Sequence, residues 1–300
     1  MEQPLVSIIV CTYNGKVGIE ACMNSIGGLQ YPLDKLELIV VNDASTDNTG
    51  TIMNDVASSL VRKGLAVTLL DNERKDGKGL GLYGSKRRAM TERRTPSGII
   101  AVTDDDCEVH PDWLAYIVPH FENPNVGSVG GYIGSKNLRT PLERWAADPR
   151  NNVLCNFPTK AWAHGANSSY SNEGLQRIGG FDPNTVSGGD AQVNFELQRL
   201  GFIHEYEPQA KVDHQHRSTE EGVEKQFLKY GGGDFHLLLK YGQARFTVPE
   251  MTDLFLSSTQ NVTKRPDEDE DLFRLRPRYD QLKASFWLTG YAKAGLVSTQ

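Results

Sequence analysis

The chain has no apolar run approaching the roughly 20 residues of a membrane span, so a helical membrane protein is not expected from its 300 residues. It also lacks a basic excess. The net charge of −6 argues against a nucleic-acid binder. Cysteine is scarce: Cys11, Cys22, Cys107 and Cys155 lie far apart and form no C-x-x-C pair. That pattern fits reduced thiols in a cytoplasmic protein better than a disulfide framework or a zinc site. The first residues, Met1-Glu2-Gln3-Pro4, do not lead from a basic segment into an apolar one, so no signal peptide is expected. No internal repeat is present. What is left is an ordinary globular balance, 38% hydrophobic and 23% charged, and a length suited to one large domain or two closely joined ones.

The first third alternates strand and helix signals. Val6 to Val10 is a continuous apolar run, as in a buried parallel strand. Ile19, Cys22, Met23, Ile26 and Leu29 then recur at helical spacing. A second strand over Leu36–Val41 ends in Asn42-Asp43, and a helix starting near Ser45-Thr46-Asp47 follows. Val67–Leu70 reads as a third strand, residues 72–84 as a glycine- and lysine-rich loop, and Lys86–Arg94 as a short basic helix. Ile99–Thr103 is a fourth strand. This order predicts a βαβ sheet with right-handed crossovers. Beyond it, helices are expected over Trp113–Phe121, Asp190–Leu200 and Glu221–Tyr241, the last broken at Gly231-Gly232-Gly233, with a strand over Val126–Ile133. The acidic run Asp267–Asp271 reads as solvated or disordered.

Three aspartates, Asp104, Asp105 and Asp106, close the fourth strand. Ligands of open α/β sheets bind outside the carboxyl ends of the strands. Three crowded acids there call for a positive partner, and a hard divalent cation carrying a phosphorylated ligand meets that need. Residues two apart in an extended segment point the same way, so Asp104 and Asp106 share a face and Asp105 turns from it. Asp43 ends another strand, where it can accept from a base imide or a ribose, or cap the next helix. Tyr13 can stack on a base or be a surface turn tyrosine. Asp190 opens a helix whose dipole favours its ionised form. There it can take a proton from a hydroxyl nucleophile or serve as a cap. Small-residue loops around Gly165, Gly179-Gly180 and Gly188-Gly189 let a bulky ligand approach the backbone. His214 and His216 share a face and can complete a metal shell, or lie on the surface. Lys75, Lys78, Lys86, Arg87 and Arg88 suit a diphosphate, or a solvated helix face. The glycines among them match neither G-x-G-x-x-G nor a Walker loop.

Val6-Ser7-Ile8-Ile9-Val10-Cys11-Thr12-Tyr13-Asn14-Gly15, the stretch Glu37 to Thr49, the acid triplet, and Gly179-Gly180-Phe181-Asp182 with the downstream Asp190 together resemble family 2 glycosyltransferases of the GT-A fold. The resemblance covers about residues 5–245. It implies an α/β fold, Rossmann-like, with a mostly parallel central sheet flanked by helices and a C-terminal acceptor-binding region. It divides the chain into a nucleotide-sugar half (1–110), an acceptor and catalytic half (111–245) and a helical extension (246–300). It implies a nucleotide-sugar donor, in first place a UDP-sugar, a glycan or lipid-linked hydroxyl acceptor, Mn2+ or Mg2+, and inverting transfer. The donor set is then Thr12, Tyr13, Asn14, Asp43, Lys78, Asp104 and Asp105, and the acceptor set Gly165, Asn167 and Gly189. Asp106 and His214 are the metal ligands, with His216 competing, and Asp190 is the base.

Two departures stand out. Asn42 replaces the first acid of the usual Asp-Asp pair, and Gly189 replaces the Glu that usually precedes the base. No Gln-x-x-Arg-Trp motif occurs, which points to transfer of single sugars. A non-catalytic binding relative and a nucleotidyltransferase are the other classes considered. The latter should carry a basic glycine loop where Thr12-Tyr13-Asn14-Gly15 stands. In the tail, Phe273 to Leu288 is expected to pack as a helix. The alternative is that Arg274, Arg276 and Arg278 touch an anionic membrane, placing a cytoplasmic protein on its inner face.

Overall fold

A computed structural model describes residues 3–72, 79–93, 98–148, 162–242, 246–260 and 263–298. Along the chain run β1 (Val6–Thr12), α1 (Ile19–Ile26), β2 (Leu36–Asn42), α2 (Thr49–Arg62), β3 (Ala66–Asp71), α3 (Gly81–Thr91) and β4 (Ile99–Asp104). Then come β5 (Cys107–Val109), α4 (Trp113–Ile117), β6 (Val126–Lys136), α5 (Pro141–Ala147), β7 (Ser168–Ser171), α6 (Asn172–Arg177), α7 (Gly189–Arg199) and β8 (Ile203–Gln215). Three helices follow: α8 (Glu220–Tyr241), α9 (Val248–Ser258) and α10 (Glu270–Ser298). The chain divides into two compact units. One holds the sheet, as far as Gly134 of β6, with α1–α4, α6 and α7; the other holds α5 and α8–α10.

The strands of the first unit lie in the order β3-β2-β1-β4-β7-β6-β8-β5. Every residue of β1 and β2 is buried, the consequence of continuous apolar runs covered on both faces. β1 pairs in parallel with β2 and β4, and β2 with β3, so that Thr12 faces Asn42, Asn42 faces Asp71 and Cys11 faces Asp104. The chain winds outward from β1 through β2 to β3 and then returns to the other side as β4. The order therefore reverses between β1 and β4, which is where such sheets open a ligand crevice at their carboxyl edge.

Beyond β4 antiparallel pairs enter the sheet, a pattern the sequence conceals. β7 pairs with β4 and β6, and β5 with β8. β7 reads Ser-Ser-Tyr-Ser and carries no β-branched residue, yet Ser168, Ser169 and Tyr170 are fully buried between neighbours. Tertiary pairing here overrides propensity. The expected loop at 72–84 is also shorter than anticipated, because α3 begins at Gly81, ahead of the predicted Lys86.

In the second unit the glycine triplet does not break α8, which runs unbroken through 22 residues. It makes room for α10 instead. A Cβ on Gly231 would lie 2.0 Å from the Trp287 carbonyl oxygen, and one on Gly290 would lie 2.0 Å from that of Leu228. The acidic run 267–271 is exposed as expected at Asp267, Asp269, Glu270 and Asp271, but it is tied into the fold. Glu268 is buried against Arg276 (2.6 Å), and Asp269 accepts the Leu272 amide (2.8 Å) at the start of α10. Arg278 forks onto Glu220 (2.7 and 2.8 Å) and Arg274 pairs with Asp271 (3.7 Å). The three arginines of the membrane alternative are thus held by carboxylates of their own unit, and no described helix is long and apolar enough to cross a membrane.

The backbone contact of α8 with α10 gives a stability prediction. Helix propensity alone favours Gly290→Ala by about 1 kcal/mol. The added methyl must displace backbone atoms, and overpacking of that kind costs ~1–3 kcal/mol or more. A net loss of stability in denaturant titration is expected; a gain would mean that the helices separate freely.

Candidate active site

The carboxyl edge at the β1/β4 switch point gathers most of the chemistry. Tyr13, just beyond β1, is 53% exposed and open to a stacking partner. Thr12 Oγ1 donates to Asp105 Oδ2, which ties the end of β1 to the triplet. Gly15 and Gly18 crowd the same segment: a Cβ on Gly18 would lie 2.5 Å from the Asp105 carbonyl oxygen. Asp105 and Asp106 lie in a turn rather than in an extended segment, and Asp105 faces the β1 loop. Its bond to Thr12 makes it a brace between two strands.

Asp106 and His214 meet because β5 pairs antiparallel with β8. Cys107 faces His214 in the register, and the Gln215 amide donates to the Asp106 carbonyl (3.0 Å). His214 Nε2 lies 3.5 Å from Asp106 Oδ1, with the two side chains 6% and 18% exposed. His216 belongs to the second unit, where its Nε2 meets Ser135 Oγ at 2.7 Å. A carboxylate oxygen and an imidazole nitrogen suit Mn2+ or Mg2+ when phosphate and water complete the shell. Among the described residues no group of three or more His, Cys, Asp or Glu side chains is arranged to hold a metal ion.

Asp104 faces α3. Lys86, 1% exposed, brings its ammonium to 4.0 Å from Asp104 Oδ1 and lies over the rings of Tyr83 (5.5 Å) and Phe181 (5.9 Å). Burial pushes the Asp104 carboxyl up from its ordinary value; Lys86 opposes that shift, and Asp106 adds to it. The neighbouring arginines turn elsewhere. Arg87 donates to the carbonyls of Gly179 (3.0 Å) and Phe181 (3.3 Å), and Arg88 to Asp71 O (2.6 Å) and Asn72 Oδ1 (2.7 Å).

Asp190, in the first turn of α7, is 8% exposed. Its Oδ2 accepts the Gly165 amide (3.0 Å) and its Oδ1 faces the Tyr83 hydroxyl (3.5 Å). Gly189 has no space for a side chain, since a Cβ would lie 2.5–2.7 Å from three atoms of the Tyr83 ring. One turn on, Asn194 Nδ2 donates to the Asp190 carbonyl (2.8 Å), and its Oδ1 accepts from Ser128 Oγ (2.6 Å). Ser128 in turn contacts His204 Nδ1 (2.9 Å), whose pKa burial lowers to about 4. A neutral, buried polar chain therefore holds the first turn of α7.

Several expected ligand contacts have other duties. Asn167 is 1% exposed; its Oδ1 accepts Trp113 Nε1 (2.9 Å) and its Nδ2 donates to Tyr132 O (2.9 Å) and Ala210 O (2.8 Å). Three bonds thus hold the Asn167 amide within the fold. Asn14, at φ 54°, accepts the Thr46 amide (2.8 Å) and so joins two loops. Asp43 is a helix cap, but for α3 rather than for the helix that follows it. It accepts from Leu80 N (2.8 Å), Gly81 N (2.9 Å) and Asn72 Nδ2 (2.7 Å). The next residue, Ala44, holds a left-handed φ of 62°, a strain typical of functional loops. Lys78 lies outside the described residues. Tyr83 was missed by motif reading, and Lys86 was placed only as one of five basic residues suited to a diphosphate. The only signal for them was a basic, glycine-rich stretch whose apolar face is too short to read.

A model of glycosyl transferase family 2 matches residues 7–179. The chain belongs to glycosyl transferase family 2. A second model, glycosyl transferase family group 2, matches residues 99–290. Among curated family 2 relatives, the glycosyltransferase AglE of Haloferax volcanii is 24% identical over 226 residues, covering 75% of this chain and 71% of AglE. The probable glycosyltransferase YdaM of Bacillus subtilis is 25% identical over 254 residues, covering 80% of this chain and 57% of YdaM. A poly-beta-1,6-N-acetyl-D-glucosamine synthase of Staphylococcus epidermidis is 24% identical over 243 residues, covering 78% and 56%. Against the latter two the chain spans a little over half of the relative's length. Among solved structures, the mannosyltransferase PcManGT from Pyrobaculum calidifontis, in complex with GDP-Man and Mn2+, superposes with a TM-score of 0.61 at 23% identity. It covers 100% of this chain and 80% of that one. TarS 1-349 of S. aureus, in complex with UDP-GlcNAc, gives 0.56 at 13% identity, covering 97% and 92%. The fold of this family 2 glycosyltransferase is GT-A.

Proposed function

We propose that this glycosyltransferase moves a single sugar from a nucleotide-sugar, in first place a UDP-sugar, to a hydroxyl acceptor with inversion, using Mn2+ or Mg2+. The observation that carries the reading is the separation of charge duties around α3. Asp104, Asp106 and His214 lie at the strand ends, with Lys86 of α3 against Asp104, and Asp190 is held by Gly165 and by Tyr83, three residues before Lys86 on the same face of α3.

Tyr13 would stack on the base. Asp43 would accept from it with what its roughly four lone-pair sites leave after three internal bonds. Asp106 and His214 would hold the divalent cation, which when bound supplies positive charge for the departing nucleoside diphosphate. Asp104 would receive a hydroxyl of the donor. Asp190, ionised at the helix N-terminus, would take the proton of the acceptor hydroxyl as that oxygen attacks the anomeric carbon from the face opposite the diphosphate. Positioned general bases of this kind contribute roughly 10²–10⁴ in rate. The absence of a side chain at Gly165 would let the acceptor come close to Asp190.

The test is a panel of UDP-, GDP- and dTDP-sugars incubated with purified protein and Mn2+ or Mg2+. Nucleoside diphosphate release and product mass are read with and without sugar acceptors. Metal-dependent release from one donor class, suppressed by EDTA, is expected. Failure to bind any nucleotide-sugar would remove the reading. Binding without turnover would turn it toward a non-catalytic relative, and product carrying several added sugars would overturn single transfer.

A further inference from the structure

We propose that the Lys86 ammonium, together with Asp104, grips a hydroxyl group of the transferred sugar, making α3 a specificity element of the donor site. This rests on the nucleotide-sugar reading above. Lysine is almost never fully buried unless it is paired, yet Lys86 is 1% exposed. Its nearest carboxylate oxygen, Asp104 Oδ1, is 4.0 Å away, too far for a hydrogen bond, and the ammonium makes no hydrogen bond to any described residue. Three N–H donors buried without acceptors are costly. They call for an oxygen that no described residue supplies.

The gap defines the chemistry of that oxygen. An atom about 2.8 Å from both ends fits across a 4.0 Å span, at ordinary hydrogen-bond length. A phosphate oxygen would accept from Lys86 but meet the Asp104 carboxylate with like charge. A cation would satisfy Asp104 and be repelled by the ammonium. A hydroxyl does both jobs, accepting from Lys86 and donating to Asp104.

Position then favours the transferred sugar over the ribose. The Lys86 ammonium lies 3.2 Å from where a Cβ of Gly165 would stand, and the Gly165 amide holds Asp190. The hydroxyl site thus lies between the donor carboxylates and the base, where the reacting sugar must sit. Tyr83 and Phe181, with their faces toward the ammonium, fix it by cation–π attraction without competing for its protons.

The experiment is calorimetric binding, in excess Mn2+, of UDP and of UDP-glucose, or of the diphosphate and sugar ester that the donor panel selects. Wild type is compared with Lys86→Met and Lys86→Arg, each checked by thermal melting. Lys86→Met should weaken the nucleotide-sugar roughly tenfold to a hundredfold, the loss expected for a hydrogen bond to a charged group. The free diphosphate should stay within about threefold, and Lys86→Arg should fall between. In wild type, a deoxy donor lacking the gripped hydroxyl should bind as weakly as the full donor binds to Lys86→Met, and the two losses should not add. Equal weakening of diphosphate and sugar ester, or an unchanged ratio between them, overturns the inference and leaves the nucleotide-sugar reading standing. Failure of wild type to bind either ligand overturns both.

Discussion

Asp190→Asn should bind the nucleotide-sugar as wild type does and transfer the sugar roughly 10²–10⁴-fold more slowly, the usual contribution of a positioned general base. The substitution changes one atom and keeps the shape. The amide oxygen can still accept the Gly165 N–H, now made by Oδ2 at 3.0 Å. The amide nitrogen then falls on the side of the Tyr83 hydroxyl, 3.5 Å from the replaced oxygen, and a phenol oxygen accepts from it as readily as its proton donates to a carboxylate. The Asn194 bond to the residue 190 carbonyl (2.8 Å) involves only backbone at that position and stays. What disappears is the capacity to take a proton. Initial rates at saturating donor, with calorimetry on the same preparations, separate the two effects. Transfer within a few-fold of wild type would remove Asp190 as base and direct attention to another carboxylate of the triplet. A parallel loss of donor binding would mean that the residue shapes the donor site instead.

The donor half was legible in the sequence because its signals are local. Continuous apolar runs gave β1, β2 and β4, whereas the triplet, read as extended, enters a turn at Asp105-Asp106. The juxtaposition of Asp106 with His214 depends on a three-residue strand pairing with β8, and no local pattern announces so short a strand. The bonds of Asn167 were not legible, because a polar side chain in a small-residue loop looks available, whereas three partners hold it in the core. The glycine triplet was misread for the converse reason. Glycine weakens a helix by propensity, and only the approach of α10 shows why the cost is accepted. Lys86 directly precedes two arginines in sequence. Burial alone distinguishes it from them, and burial of a charged residue cannot be read from composition.

Gly189→Glu, which restores the residue usual in family 2 before the base, is expected to lower transfer about a hundredfold, the order of loss that a 1 Å misplacement can cause. A Cβ at this position would stand 2.5 Å from the Tyr83 ring, well inside van der Waals contact. Tyr83 cannot swing aside cheaply, since it is 5% exposed and stacks on Phe181 with ring centroids 6.4 Å apart. Either the ring moves and takes its hydroxyl from Asp190, or the first turn of α7 moves and takes Asp190 with it. Overpacking of this kind costs ~1–3 kcal/mol, visible as a lowered unfolding midpoint. Gly189→Ala should show a smaller form of both losses. Tyr83→Ala in the Gly189→Glu background removes the obstacle, so the double variant should be more active than Gly189→Glu alone, with a coupling of ~0.5–3 kcal/mol between the sites. Full activity in Gly189→Glu would mean that the ring is not a fixed wall. Strict additivity of the two changes would mean that Tyr83 and Gly189 are not a matched pair. If the pair is matched, the missing glutamate marks no loss of catalysis: a tyrosine from α3 fills its space and puts a hydroxyl beside the base.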